Sequence, residues 1–122
     1  MEVLRIASRD TVLLCAITGD MTLEACEAFQ EQLEQAAADK DHQALVLDLS
    51  LIRLMDSTGI SSLIRLETQL RAGGKRLVLF KPNTVVLQTL KLVRLDSFFQ
   101  IIADKYALLA LLPELIDANC SI

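Results

Sequence analysis

The chain has 122 residues, 52% of them hydrophobic, with no Trp, few aromatics and a formal charge of −4. That length suits one domain, spanning 1–122, which buries about two-thirds of the surface its unfolded chain exposes; the core is expected to be Leu, Val, Ile and Ala. The acidic balance argues against nucleic acid, whose binders show a basic face, and the densest basic group, Arg71, Lys75 and Arg76, reads as a solvated helix end.

No basic stretch precedes an apolar run at the start, so no export signal is expected. Val3 to Ala7 and Val12 to Ile17 read as two strands around the polar turn Ser8-Arg9-Asp10-Thr11, the spacing of an antiparallel hairpin. Thr22 is placed to cap a helix with Leu23, Cys26, Phe29, Leu33 and Ala37 on its inner face and Glu24 in its first turn. Asp39-Lys40-Asp41-His42 is a polar turn into Ala44-Leu45-Val46-Leu47-Asp48-Leu49, a short and nearly continuous aliphatic run that suits a strand covered on both faces.

The turn Met55-Asp56-Ser57-Thr58-Gly59 then leads into an amphipathic helix. Ile60, Leu63, Ile64, Leu66 and Leu70 fall in one arc, and Ser61, Ser62, Arg65, Thr68 and Gln69 point away from it. Glu67 sits inside the apolar arc, with Arg71 one turn on as its natural partner. Ala72-Gly73-Gly74 stops the helix. Leu77 to Phe80 is a further strand, and Pro82 and Asn83 start a helix with Val86, Leu90 and Val93 along one side. Phe98 to Ile102 is the last apolar run, and Asp104 caps a terminal helix that Pro113 ends near Leu112. The apolar stretch Tyr106 to Leu112 is far shorter than the roughly 20 residues a bilayer needs. Strands alternating with helices after a hairpin imply parallel pairings. The expected fold is therefore α/β: a mixed four- to five-stranded sheet with an N-terminal hairpin and about four flanking helices.

Chemistry-bearing residues are sparse. Cys15, Cys26 and Cys120 are odd in number, scattered and without metal-ligand spacing, which suggests reduced thiols in a cytoplasmic protein. His42, the one histidine, reads as a solvated loop residue, and nothing brings it to Ser57 as a triad would require. Asp20, Asp48 and Asp56 invite a metal, but Asp48 serves equally well as a strand-end residue bonded to nearby backbone. Gly73-Gly74-Lys75 is followed by Arg76 rather than Ser or Thr and fails as a phosphate loop. No catalytic residue, metal or cofactor is assigned.

Asp56-Ser57-Thr58 is open to two readings. The plain one is capping, since these side chains accept unpaired N–H groups at a helix start. The sharper one adds a phosphate to Ser57. A phosphoserine carries nearly two negative charges, which the positive end of the helix tolerates but a partner packed over the turn, beside Asp56, does not.

Leu45-Val46-Leu47-Asp48-Leu49-Ser50, Met55-Asp56-Ser57-Thr58-Gly59-Ile60 and Gly73-Gly74-Lys75, in this order over nearly the whole chain, resemble a bacterial STAS domain of the anti-sigma factor antagonist family. Thr18-Gly19-Asp20-Met21 resembles that family's turn after its second strand, with Met21 in place of the usual Leu; Ser61-Ser62 stands where the family often has a small Gly or Ala pair. The resemblance implies a STAS-like fold and a non-enzymatic, partner-switching role in signal transduction and transcription regulation. The unmodified form would bind an anti-sigma factor/serine kinase and release a sigma factor, phosphorylation of Ser57 would switch it off, and a phosphoserine phosphatase would reset it. Thr58 is the second choice of phosphoacceptor. Asp20, Met21, Asp56, Ser57, Thr58, Gly59, Ile60 and Ser61 form the expected partner-binding set, with Gly59 admitting a partner backbone. Two rivals stand beside this. Some STAS domains serve as subunits of lipid-transport ABC systems and contact the ATPase; a small-ligand or nucleotide-binding module comes last, for want of a phosphate cradle. The leucine-rich C-terminal stretch leaves both internal packing and a second copy open as its partner.

Overall fold

Residues 2–9, 12–22, 30–32, 34–35 and 42–111 are described by the computed structural model. Five strands, β1 (Glu2–Arg9), β2 (Val12–Met21), β3 (Ala44–Met55), β4 (Arg76–Phe80) and β5 (Gln100–Ile102), lie in that order across one sheet. β1 and β2 form the expected antiparallel hairpin, and the other three pairings are parallel. Helix α1 (Ser57–Ala72) connects β3 to β4, α2 (Thr84–Leu92) connects β4 to β5, and α3 (Lys105–Leu111) follows. Residues 30–32 and 34–35 are also helical, and Glu34 Oε1 accepts from Gln69 Nε2 of α1 at 3.5 Å. The rest of the helix predicted from Thr22, with Leu23, Cys26, Phe29, Leu33 and Ala37, lies outside the described residues, as do the turn positions Asp10, Thr11 and Asp39 to Asp41, and Pro113 and Cys120.

Side-chain parity sorts the core. Odd-numbered Leu13, Cys15, Ile17, Leu45, Leu47, Leu49, Leu77 and Leu79 bury one sheet face against Leu63, Leu66 and Leu70 of α1 and Val86 and Leu90 of α2. Even-numbered Val12, Leu14, Ala44, Val46, Val78 and Phe80 bury the other face, where Leu108 of α3 packs. Both faces are covered, which is why the strands read as aliphatic runs without polar alternation.

β3 runs well beyond the Ala44–Leu49 segment that its sequence suggests. Its register against β2 shifts twice, between Ala16 and Thr18 and between Gly19 and Asp20, and each shift places one extra residue in β3. The buried positions accordingly step from Leu47 and Leu49 to Ile52 and Met55, in threes rather than twos. At the first irregularity Asp48 Oδ1 accepts from Ser50 N at 2.9 Å, the local backbone role its sequence position allowed. β2 lengthens with its partner: Thr18-Gly19-Asp20-Met21 is paired strand rather than a turn, because Thr18 lies opposite Leu51 and Met21 opposite Met55.

Three smaller expectations change. His42 is buried, not solvated, two residues before the start of β3. Ser62 is buried on α1, its hydroxyl donating to Thr58 O at 3.0 Å so that the group is not left unpaired. Val93 lies one residue past the end of α2 and is exposed, leaving Val86 and Leu90 as that helix's buried stripe. The caps read from sequence are in place: Asn83 Oδ1 accepts from Val86 N at 3.0 Å and Asp104 Oδ1 from Ala107 N at 2.8 Å. Gly74 ends α1 with φ +73, a conformation that costs glycine little.

Candidate functional site

The carboxyl ends of β2 and β3 and the start of α1 meet at one rim. Asp56 is the N-cap: its backbone is extended, and Oδ1 accepts from Thr58 N at 2.9 Å and Gly59 N at 3.1 Å. Removing such a cap costs ~1 kcal/mol. The backbone N–H of Asp56 donates to Met21 O at 3.3 Å, tying the cap to the last residue of β2. Ser57 is the first helical residue and is exposed. Its carbonyl accepts from the Ser61 hydroxyl at 2.9 Å. Thr58 is half-buried, Ser61 is exposed, and Ile60 is half-buried against the first core cluster.

Two members of the expected set face inward. Met21 has no exposed surface. Gly59 is buried against it: a Cβ at 59 would stand 2.7 Å from Met21 O, 2.8 Å from Met21 Cβ and 3.0 Å from Met55 Cγ. The close approach that Gly59 permits is therefore to this chain's own β2, not to a visiting backbone, and Met21 supports the rim from below. Asp20 is half-buried and held in a two-pronged pair with Arg53, Nε to Oδ1 at 3.3 Å and a second guanidinium nitrogen to Oδ2 at 3.3 Å.

Sequence reasoning passed over the β3 overhang, which brings Leu51, Arg53 and Leu54, all exposed, to the same rim. It also passed over the second job of Asn83, whose Nδ2 donates to Ile52 O and, at 3.5 Å, to Ser50 O. β3 pairs with β4 only as far as Asp48, so these carbonyls have no strand partner on that side. The signal for both was the triplet spacing of Leu49, Ile52 and Met55. Among the described residues no group of three or more His, Cys, Asp or Glu is placed to hold a metal, and no helix is long and apolar enough to cross a membrane.

A mixed five-strand sheet with a capped helix rising from a serine-bearing rim defines the class. The chain belongs to the STAS domain family, whose model described as Mlab, STAS domain matches residues 4–110. Solved structures share its fold. An anti-sigma factor antagonist from Mycobacterium paratuberculosis is similar at TM-score 0.80 and 20% identity, over 92% of this chain and 93% of that one. The anti-sigma factor antagonist SpoIIAA in its unphosphorylated form gives 0.74 at 14% identity, over 90% and 96%; Bacillus SpoIIAA in its phosphorylated form gives 0.69 at 14%, over 90% and 99%. The SulP transporter STAS domain from Vibrio cholerae gives 0.62 at 24%, over 90% and 87%.

Proposed function

We propose that this chain is a cytoplasmic, non-enzymatic anti-sigma factor antagonist whose rim docks an anti-sigma factor/serine kinase and is switched off by phosphate on Ser57. One observation carries the reading: Ser57 is an exposed hydroxyl on the first residue of a 16-residue helix whose first N–H groups are already taken by Asp56. A phosphate there stands in solvent near the positive end of the helix and displaces no core group. A partner seated on Asp56, Ser57 and Ser61 would have to bury that dianion next to the Asp56 carboxylate, a heavy desolvation cost, while the cation at this rim, Arg53, is already engaged by Asp20. Asp20, Thr58 and Ile60 complete the surface, with Met21 and Gly59 fixing its shape from inside. Existence of a phosphorylated form of the SpoIIAA fold-mate is consistent with a modification on this architecture. In the complex the partner supplies ATP and the catalytic groups, and a phosphatase reverses the step.

The test is a Ser57→Asp variant measured against a candidate anti-sigma kinase by titration calorimetry. Binding should weaken at least about tenfold, that is by ~1.4 kcal/mol or more, while the thermal midpoint moves little. Equal affinity for both proteins rules out the switch.

A second reading has its own observation: the matching family model is the one described as Mlab, STAS domain. In it the rim contacts the ATPase of a lipid-transport ABC system and Ser57 carries no phosphate. Capture of such an ATPase, with binding indifferent to Ser57→Asp, favours it.

A further inference from the structure

β3 continues to Met55 after its pairing with β4 ends at Asp48. Strand addition is not how a partner would take hold of this free edge, because Asn83 Nδ2 already donates to Ser50 O and Ile52 O. What the overhang offers is side chains. Leu51 is 60% exposed and Leu54 51%, while Ile52 and Met55 are buried. Arg53, between the two leucines, folds its guanidinium onto Asp20, so the pair adds no net charge beside them.

Exposed leucines taken singly are ordinary. These two are set apart by position. They lie about 10 Å apart along one strand, and Leu54 precedes Ser57 by three residues, a Cα separation of at most about 11 Å. A specific interface covers about 800 Å² on each partner, a patch about 16 Å in radius. A partner centred on Ser57 therefore lies over Leu54 and extends towards Leu51. The core of such a patch is apolar and poor in charge. The rest of the rim does not supply that core: Met21 and Gly59 are buried, Ile60 is half-buried, and the exposed Ser57 and Ser61 are polar.

We propose that Leu51 and Leu54 are the apolar anchors of the docking surface, received by an apolar pocket on the anti-sigma factor/serine kinase. The overhang supplies affinity, and the helix start supplies the phosphate switch. This rests on the function proposed for Ser57.

The probe is a kinase selected because it transfers phosphate from ATP to Ser57 of the wild-type chain. Leu51→Ser and Leu54→Ser, exposed changes that leave the core intact, should each weaken its binding at least about fivefold by calorimetry, the loss that marks an interface anchor. The double variant should lose about 25-fold, as separated sites add. With the same kinase and ATP, each variant should raise KM for this chain and leave kcat unchanged, because the leucines stand clear of the reacting hydroxyl. Leu92→Ser, a still more exposed leucine where α2 ends on the opposite edge of the sheet, should change neither. Wild-type affinity in both overhang variants, or an equal loss in Leu92→Ser, overturns the anchor assignment and leaves the Ser57 switch standing. A wild-type dimer that the overhang variants dissociate gives the leucines to a second copy and overturns the assignment too. A chain that no such kinase phosphorylates removes the switch, and the assignment with it.

Discussion

A methyl group is the smallest change that separates the helix start from the strand beneath it. At position 59 it would press on the carbonyl and Cβ of Met21, neither of which is a flexible side-chain end, so the backbone itself must yield. Gly59→Ala is expected to lower stability by ~1–3 kcal/mol, the usual cost of overpacking, read as a drop in the urea midpoint. It should also broaden or shift the amide of Asp56, whose bond to Met21 O is the neighbouring contact. Asp56 and Ser57 were legible in the sequence because capping is local: the side chain and the N–H groups it serves lie within three residues. The inward turn of Gly59 and Met21 was not, because the contact joins positions far apart in the chain. A permissive glycine beside a functional turn looks the same in sequence whichever neighbour it admits.

At the scale of elements, Asn83 joins two that do not pair. It caps α2 through Oδ1 and holds the free carbonyls of β3 through Nδ2. Asn83→Ala should therefore cost more than a cap alone, ~2–4 kcal/mol for the cap plus two carbonyls left short of a donor. Asn83→Asp separates the parts: its carboxylate still accepts from Val86 N but cannot donate to Ser50 or Ile52, so it should recover only ~1 kcal/mol of the loss. Denaturant titration of the three proteins checks the order. The cap was readable from Pro82-Asn83; the clamp was not, since it depends on β3 continuing past Leu49. Triplet steps break the two-residue period on which a strand is recognised, so this segment looks like a loop.

For the whole molecule, the decisive arrangement is a sheet with separate apolar layers on its two faces. Leu108 of α3 is fully buried in the layer that does not touch α1. Leu108→Ala is expected to cost ~2–5 kcal/mol while leaving the amide shifts of residues 57–61 in place, because the sheet stands between them. The fold class, the hairpin and the order of elements were legible because continuous aliphatic runs separated by polar turns specify covered strands. Their lengths were set by pairing, which no single segment declares.

The two additional residues of β3 have a consequence for how this chain can vary. Each is taken up where two residues of β3 stand against one of β2, so Ile52 and then Met55 still face inward and the base of the serine-bearing helix stays against β2. A one-residue deletion at either irregularity should thus survive in a library selected for folding, whereas a one-residue change within the regularly paired stretch from Ala44 to Asp48 should be lost from it.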